Sequence, residues 1–349
     1  MELLTNTLEK IQDLDRDAMD QARKRMDNLI KPMRSLGRLE DLAIQISGIT
    51  GKLHAELDDK AIIVMAASNG ICEEGVAAAP SDVTLLMTNF IGSGVSGVRA
   101  ISKTAGIDVI TVDIGVDGDV SEKSVLCKKV KSGTDNMAKG PAMSREEAVR
   151  AIEIGIEIAT EEIQKGRKIL GTGEMGIGNT STSTAILSVL SGKAVEEIVG
   201  VGANLPEAQV SKKAAAIRRA IEVNNPNPED IIDVLAKVGG LDIAGMAGVM
   251  IAGAANRVPV VVDGYISTIA ALVAERLDER VKHYLIASHA SCEKGAKTAS
   301  DLLGLDPMLN MEMRLGEGSG AALAFPIIEA ASQLSRQMLT FEETGIMAV

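Results

Sequence analysis

Four short, mostly apolar runs punctuate the chain, and each closes on small or polar residues. Ala61-Ile62-Ile63-Val64-Met65-Ala66 leads into Ser68-Asn69-Gly70, and Asp108-Val109-Ile110-Thr111-Val112-Asp113-Ile114 ends at Gly115. Val258-Pro259-Val260-Val261-Val262 leads into Asp263-Gly264, and Tyr284-Leu285-Ile286-Ala287 into Ser288-His289. Short continuous runs of this kind, separated by Ala- and Gly-rich helical stretches, predict buried parallel strands joined by crossover helices. The expected fold is α/β: a Rossmann-like parallel sheet with flanking helices. Ligands of such sheets gather at the carboxyl ends of the strands, where these polar residues lie.

The two ends of the chain carry a helical pattern instead. Leu3, Leu4, Leu8 and Ile11 recur at helical spacing with charge on the opposite face. Lys31-Pro32 breaks that segment, and Leu36-Gly37-Arg38-Leu39-Glu40 opens another helix through Leu42, Ile44 and Ile46. From Gly320 to about Gln337 the chain is again Ala-rich and helical. The predicted organisation is therefore a small helical domain from residues 1–50 with 321–349, beside a large α/β domain over 51–320. No low-complexity linker or internal repeat separates them, so the two units are expected to share an interface.

Composition narrows the function. At 349 residues with 46% hydrophobic content, the chain has ample material for a core. With no Trp, two Tyr and three Phe it lacks the rings for a nucleobase-stacking platform. A net charge of −12 argues against a nucleic acid partner. A phosphate on a small ligand remains compatible, because local dipoles decide that. Cys72, Cys127 and Cys292 show no C-x-x-C spacing and read as reduced thiols. The N-terminal residues do not resemble a secretory leader, and no apolar stretch approaches the length of a membrane span. The expectation is a soluble cytoplasmic protein without membrane, metal or cofactor.

The candidate chemistry lies in two Gly-rich stretches that each carry a carboxylate. One is Gly171-Thr172-Gly173-Glu174-Met175-Gly176-Ile177-Gly178-Asn179-Thr180; the other is Arg314-Leu315-Gly316-Glu317-Gly318-Ser319-Gly320. Closely spaced glycines let backbone N–H groups approach an anion, and a following helix adds its positive end. Read singly, Glu317 fits a surface turn as well as a ligand site; the pairing with Glu174 favours the ligand. The first stretch is neither G-x-G-x-x-G nor a P-loop, and no strand clearly feeds it, so dinucleotide binding and ATP hydrolysis are disfavoured. Gly239-Gly240 and Gly245 to Gly248 read as close helix packing. In the helical segment around Ser211 to Arg219, Lys212 and Lys213 are equivalent by pattern. His289 reads as structural or supporting, since no nucleophile elbow accompanies it. His54 and His283 read as surface residues.

These residues together resemble one family closely: the nicotinate-nucleotide–dimethylbenzimidazole phosphoribosyltransferases of cobamide lower-ligand assembly. The likeness runs through Ser35-Leu36-Gly37-Arg38-Leu39-Glu40, Glu74-Gly75-Val76, Pro80 with Val83-Thr84, Gly133-Thr134 with Asn136-Met137-Ala138, and Gly140-Pro141-Ala142-Met143. It continues through Gly173 to Thr180, Gly239-Gly240, Asp263-Gly264, Ser288-His289 and Met313 to Gly318. The resemblance implies transfer of phosphoribose from nicotinate mononucleotide to an aromatic base, with inversion from β to α. It casts Glu317 as general base and Glu174 as an electrostatic group. It places Gly176, Gly178, Asn179, Lys213, Gly264 and Ser291 around the nucleotide and its phosphate, raising Lys213 above Lys212. It also implies a dimer, with itself or with a homologous subunit, whose sites border the partner.

Four positions depart from the family's usual pattern. Many members have Asp-His-Gly where this chain has Ser68-Asn69-Gly70, and benzimidazole users carry Ser and Gln where it has Ala79 and Met87. Asn69, Ala79 and Met87, with Leu315, are expected to line the aglycone pocket. The loss of polar groups there leaves fewer partners for the second nitrogen of a benzimidazole, whereas a phenol or p-cresol has only one O–H to satisfy. A phenolic aglycone is therefore an expectation beside dimethylbenzimidazole. A second reading is a partner subunit that supports another chain's site, and a third is a nucleotide-sensing regulatory domain. Retention of Glu174, Lys213 and Glu317 favours the enzyme.

Overall fold

The apolar runs form a single six-stranded sheet in the computed structural model, which describes residues 1–345. The strands are β1 Lys60–Ala67, β2 Asp108–Gly115, β3 Leu126–Cys127, β4 Ile169–Met175, β5 Val260–Val262 and β6 Leu285–Ala287. All neighbours pair in parallel, in the order β3-β2-β1-β4-β5-β6. That is the order of the doubly wound dinucleotide-binding fold, with its switch point between β1 and β4. The predicted fold class is the observed one.

Two strands escaped the sequence pattern, and β4 matters most. It carries Gly171, Thr172 and Gly173, which dilute the apolar run, yet it pairs along its length with β1, with Met65 opposite Glu174. A strand therefore does feed the Gly-rich turn, contrary to the expectation above. Gly171 lies against Ile62 and the Phe325 ring, and Gly173 lies where the backbone of Glu317 crosses, so side chains there would collide. The glycines are a packing requirement of the strand.

Alternation along β1 divides the core into two layers, because successive side chains point to opposite faces. Ile62 and Val64 belong to the cluster with Phe325, Ile328, Met26, Leu42 and Ile46. Ala61, Ile63 and Met65 belong to the cluster with Met246, Val249 and Ile269. The first layer joins the two chain ends: helices Arg16–Asn28, Arg38–Thr50 and Ser319–Gln337 pack on one another and on the sheet. Helix Glu2–Leu8 sits on the other face, where the Met1 amino group reaches Glu153 of helix Arg145–Gln164 at 2.5 Å. Within that face, Gly155 meets Gly245 and Gly248 of helix Leu241–Ala255 backbone to backbone, the close packing the glycines predicted.

Candidate active site

The carboxyl ends of β4, β5 and β6 open into a cavity of about 310 Å³. Strand β4 delivers Glu174 and Met175, the turn Gly176-Ile177-Gly178 follows, and helix Asn179–Ser191 starts there. Gly178 adopts φ +92°, the left-handed conformation that lets the chain reverse into the helix. The turn is pinned from outside, where the Ile177 N–H donates to Thr84 Oγ1 at 3.0 Å. β5 contributes Asp263 and Gly264, and the segment after β6 contributes His289 and Ser291.

Glu317 closes the cavity from the C-terminal side. It is 3% exposed, so the surface-turn reading does not hold. Its Oε2 accepts the Val98 N–H at 3.0 Å, at the start of helix Gly97–Thr104, and its own N–H donates to the Glu174 carbonyl at 3.2 Å. Gly316, Glu317 and Gly318 all have positive φ, at 84°, 62° and 89°. For a glutamate this costs on the order of 1 kcal/mol, a strain sustained only where the surroundings fix it. Asp263 does so. Its carboxylate accepts N–H bonds from Gly318 at 3.3 Å, Gly320 at 2.7 Å and Ala321 at 3.0 Å, clamping the start of helix Ser319–Gln337.

Glu174 lies in a different electrostatic setting. It is buried, and its Oε2 accepts from Asn179 Nδ2 at 2.5 Å. The same amide donates to Asp242 Oδ2 at 3.0 Å. Burial pushes the Glu174 carboxyl up to about 8, with repulsion from Asp242, Asp263 and Glu317 adding and the Asn179 bond opposing. Asp242 is pushed up to about 6 by burial, against the hydrogen bond from Asn179 and the nearby backbone N–H groups. Among the described residues no lysine or arginine pairs with Glu174 or Asp242, a setting that favours a positively charged ligand.

Of the residues singled out from sequence, Glu174, Gly176, Gly178, Asn179, Gly264, Ser291, Glu317, Ala79, Met87 and Leu315 all lie on the cavity wall. Two do not. Lys213, on helix Glu207–Asn224, is buried behind the wall and donates to Thr180 Oγ1 at 2.8 Å. Thr180 and Gly202 stand between it and the cavity, and Lys212 next to it points to solvent. Burial pulls the Lys213 ammonium down to about 8, opposed by Glu293 and Cys72. Asn69, expected in the aglycone pocket, instead turns beneath the Gly176–Gly178 turn and donates to the Ile177 carbonyl at 3.3 Å. A hydrogen-bonding need of the turn draws the side chain away from the pocket.

The residues expected to face an aglycone that do reach the wall are apolar, as are their neighbours. Val76, Ala79, Val83, Met87 and Leu315 present no polar side-chain atom to the cavity. His289 is buried, with Nδ1 3.2 Å from Ser288 Oγ and 3.9 Å from Asp263 Oδ1, and its ring edge abuts Gly264. His54 and His283 are exposed as expected. Sequence reasoning missed Asp242 and Glu293. Asp242 reads as an ordinary first-turn acid of a helix, and Glu293 had no signal. Asp263 had one, as the polar residue closing an apolar run. Among the described residues there is no cluster of ligating side chains that could hold a metal ion, and no helix is long and apolar enough to cross a membrane.

Known proteins resemble this chain along its whole length. The DBI_PRT family model, described as phosphoribosyltransferase, matches residues 11–346. A curated relative from Alkaliphilus metalliredigens, named nicotinate-nucleotide–dimethylbenzimidazole phosphoribosyltransferase, is 59% identical over 99% of each chain. One of the same name from Clostridioides difficile is 50% identical over 98% of this chain and 99% of its own. The crystal structure of CobT from Thermus thermophilus superposes with a TM-score of 0.92 at 37% identity, covering 95% of this chain and all of that one. Matched along its length by this family model and by relatives 59% and 50% identical, this chain belongs to the DBI_PRT family of phosphoribosyltransferases.

Proposed function

We propose that the chain transfers phosphoribose from nicotinate mononucleotide to an aromatic lower-ligand base, releasing nicotinate and an α-ribotide, with Glu317 as general base. The observation that carries this reading is the placement of Glu317: buried, fixed by the Val98 N–H and a strained backbone, and facing a cavity with apolar walls. Nicotinate bound through its ring nitrogen is a cation, so the C1′–N bond breaks with its electron pair returning to the ring and needs no general acid. The incoming base forms the new bond to C1′ through a nitrogen or oxygen lone pair, and its N–H or O–H proton passes to Glu317. Glu174 places negative charge beside the cationic centre as the old bond lengthens. Lys213 and Thr180, with Gly176, Gly178, Asn179, Gly264 and Ser291, hold the nucleotide. Lys213 is the natural anion partner, a buried ammonium with one neutral acceptor.

The relatives' name supports dimethylbenzimidazole as the base. The apolar wall at Ala79 and Met87 favours a phenol or p-cresol, since a second ring nitrogen facing it unpaired costs about 1–3 kcal/mol. We further infer a dimer, with itself or a homologous subunit. Exposed Leu86, Phe90, Val95 and Leu315 give it an apolar surface to bury. The test is turnover of nicotinate mononucleotide with dimethylbenzimidazole or phenol, by the chain alone and with a homologous subunit. Nicotinate release abolished in Glu317→Ala supports the reading. Release unaffected by that substitution removes Glu317 as the base, and release only with the homologue makes the chain one half of a heteromeric enzyme.

A further inference from the structure

Behind Glu174 lies a buried carboxylate that the transfer chemistry leaves unused. Asp242 opens helix Leu241–Ala255 and is 0% exposed. One of its oxygens, Oδ2, is paired through Asn179, while Oδ1 makes no hydrogen bond among the described residues, the helix-start N–H groups of Asp242 and Ile243 lying near the carboxyl without bonding geometry. The neighbouring Asn69, 2% exposed, has an Oδ1 without a partner as well. Its amide cannot simply be reversed. Nδ2 faces the carbonyls of Ile177 at 3.3 Å and Ala67 at 3.5 Å, and an oxygen there would meet two acceptors.

The two lone oxygens converge on one spot. A methyl built on Gly240 would lie 2.5 Å from Asp242 Oδ1 and 2.9 Å from Asn69 Oδ1. Two buried acceptors facing one point are costly, and a proton shared between them relieves both. Asn69 has none to give on that side, and the Thr182 hydroxyl, 3.6 Å from the same point, donates to the Asn179 carbonyl at 2.9 Å; a carboxylic acid has one. Among the described residues no cation offsets the charge: Glu174 faces Asp242 across Asn179, Asp263 and Glu317 lie beyond it, and Asn179 and Asn69 do not ionise.

We propose that Asp242 is carried as the neutral acid, donating its Oδ1 proton to Asn69 Oδ1, and that it acts as the positioning residue for Asn179 and, through Asn179, for an ionised Glu174. This rests on the transferase reading for its catalytic consequence, though not for the location of the proton. Burial raises both carboxyls, Glu174 to about 8 and Asp242 to about 6, so the pair keeps one proton near neutrality. Taken singly, those values leave it on Glu174; the two orphaned oxygens locate it on Asp242. Glu174 then faces the cavity as a fixed negative charge with no proton to lose.

Infrared spectroscopy of the ligand-free full chain tests it, because a protonated carboxyl absorbs apart from carboxylates. The expected result is a protonated-carboxyl band at neutral pH that persists in Glu174→Gln and disappears in Asp242→Asn. Asn69→Leu, which removes the acceptor for the neutral acid, lowers the pH at which the band fades. A band lost in Glu174→Gln, kept in Asp242→Asn, absent from the native chain or unmoved in Asn69→Leu overturns the assignment. In turnover, Asp242→Ala loses about a hundredfold in kcat through misplacement of Glu174. Asp242→Asn, the isostere of the neutral acid, recovers most of it. Equal impairment of both variants with native melting temperatures overturns the positioning role. The spectroscopic result stands or falls whether or not the chain is the transferase proposed.

Discussion

Replacing Lys213 with methionine should stabilise the empty protein while destroying its grip on substrate. The side chain is 1% exposed and its ammonium has a single neutral acceptor, Thr180 Oγ1 at 2.8 Å. Burial pulls it from 10.5 down to about 8, which corresponds to a cost of roughly 3 kcal/mol for keeping the cation folded at neutral pH. The folded state binds the proton less tightly than the unfolded one. Stability therefore rises as pH increases from about 8 towards 10.5, and the cost is present in full below about 8. Methionine fills the same space without charge, so Lys213→Met should raise the melting temperature of the ligand-free chain at pH 7 by several degrees. A phosphate against the ammonium offsets the same cost, so nicotinate mononucleotide should raise the native melting temperature and leave that of the variant almost unmoved. Affinity for ribose 5-phosphate should fall about tenfold per pH unit above 8 in the native chain relative to the variant. Calorimetric melts and titrations across that range provide the readout. A variant that melts lower than the native chain and still binds nucleotide with native affinity would refute the reasoning, and Lys213 would then be a structural cation balanced by Glu293.

Other consequences follow from the same geometry. Glu317→Gln keeps the Val98 hydrogen bond but removes the base, so kcat should fall about 10²–10⁴-fold with the KM for nicotinate mononucleotide little changed; a loss confined to KM would move the base elsewhere. Gly173→Ala drives a methyl into the Glu317 carbonyl, so it should destabilise by about 1–3 kcal/mol and displace the base, visible as a lower melting temperature with reduced kcat. Met87→Gln restores a polar group to the apolar wall and should shift preference from phenol towards dimethylbenzimidazole by about 5–150-fold in kcat/KM, equivalent to about 1–3 kcal/mol; an unchanged ratio would show that this wall does not read the second nitrogen.

Much of this molecule was legible in one dimension. The apolar runs at Ala61, Asp108, Val258 and Tyr284 became β1, β2, β5 and β6, because strands buried on both faces need continuous apolar sequence. The glycine-framed Glu174 and Glu317 were visible because little else explains a carboxylate without bulky neighbours. Motif order across the chain then distinguished Lys213 from Lys212, which residue pattern alone left equal. β4 was not legible, since its glycines answer to Glu317 and Phe325, residues far away in sequence.

What only the tertiary structure decided is how these charges are arranged. It buried Glu317 and fixed its strained backbone through Asp263, brought Asn179 between Glu174 and Asp242, and placed Lys213 behind Thr180. It also turned Asn69 away from the pocket to serve the Ile177 carbonyl. Local sequence determines propensity and periodicity, because those depend on neighbours a few residues apart. The state of a carboxyl or an ammonium depends on solvent exclusion and on partners from distant strands, which exist only once the sheet has assembled.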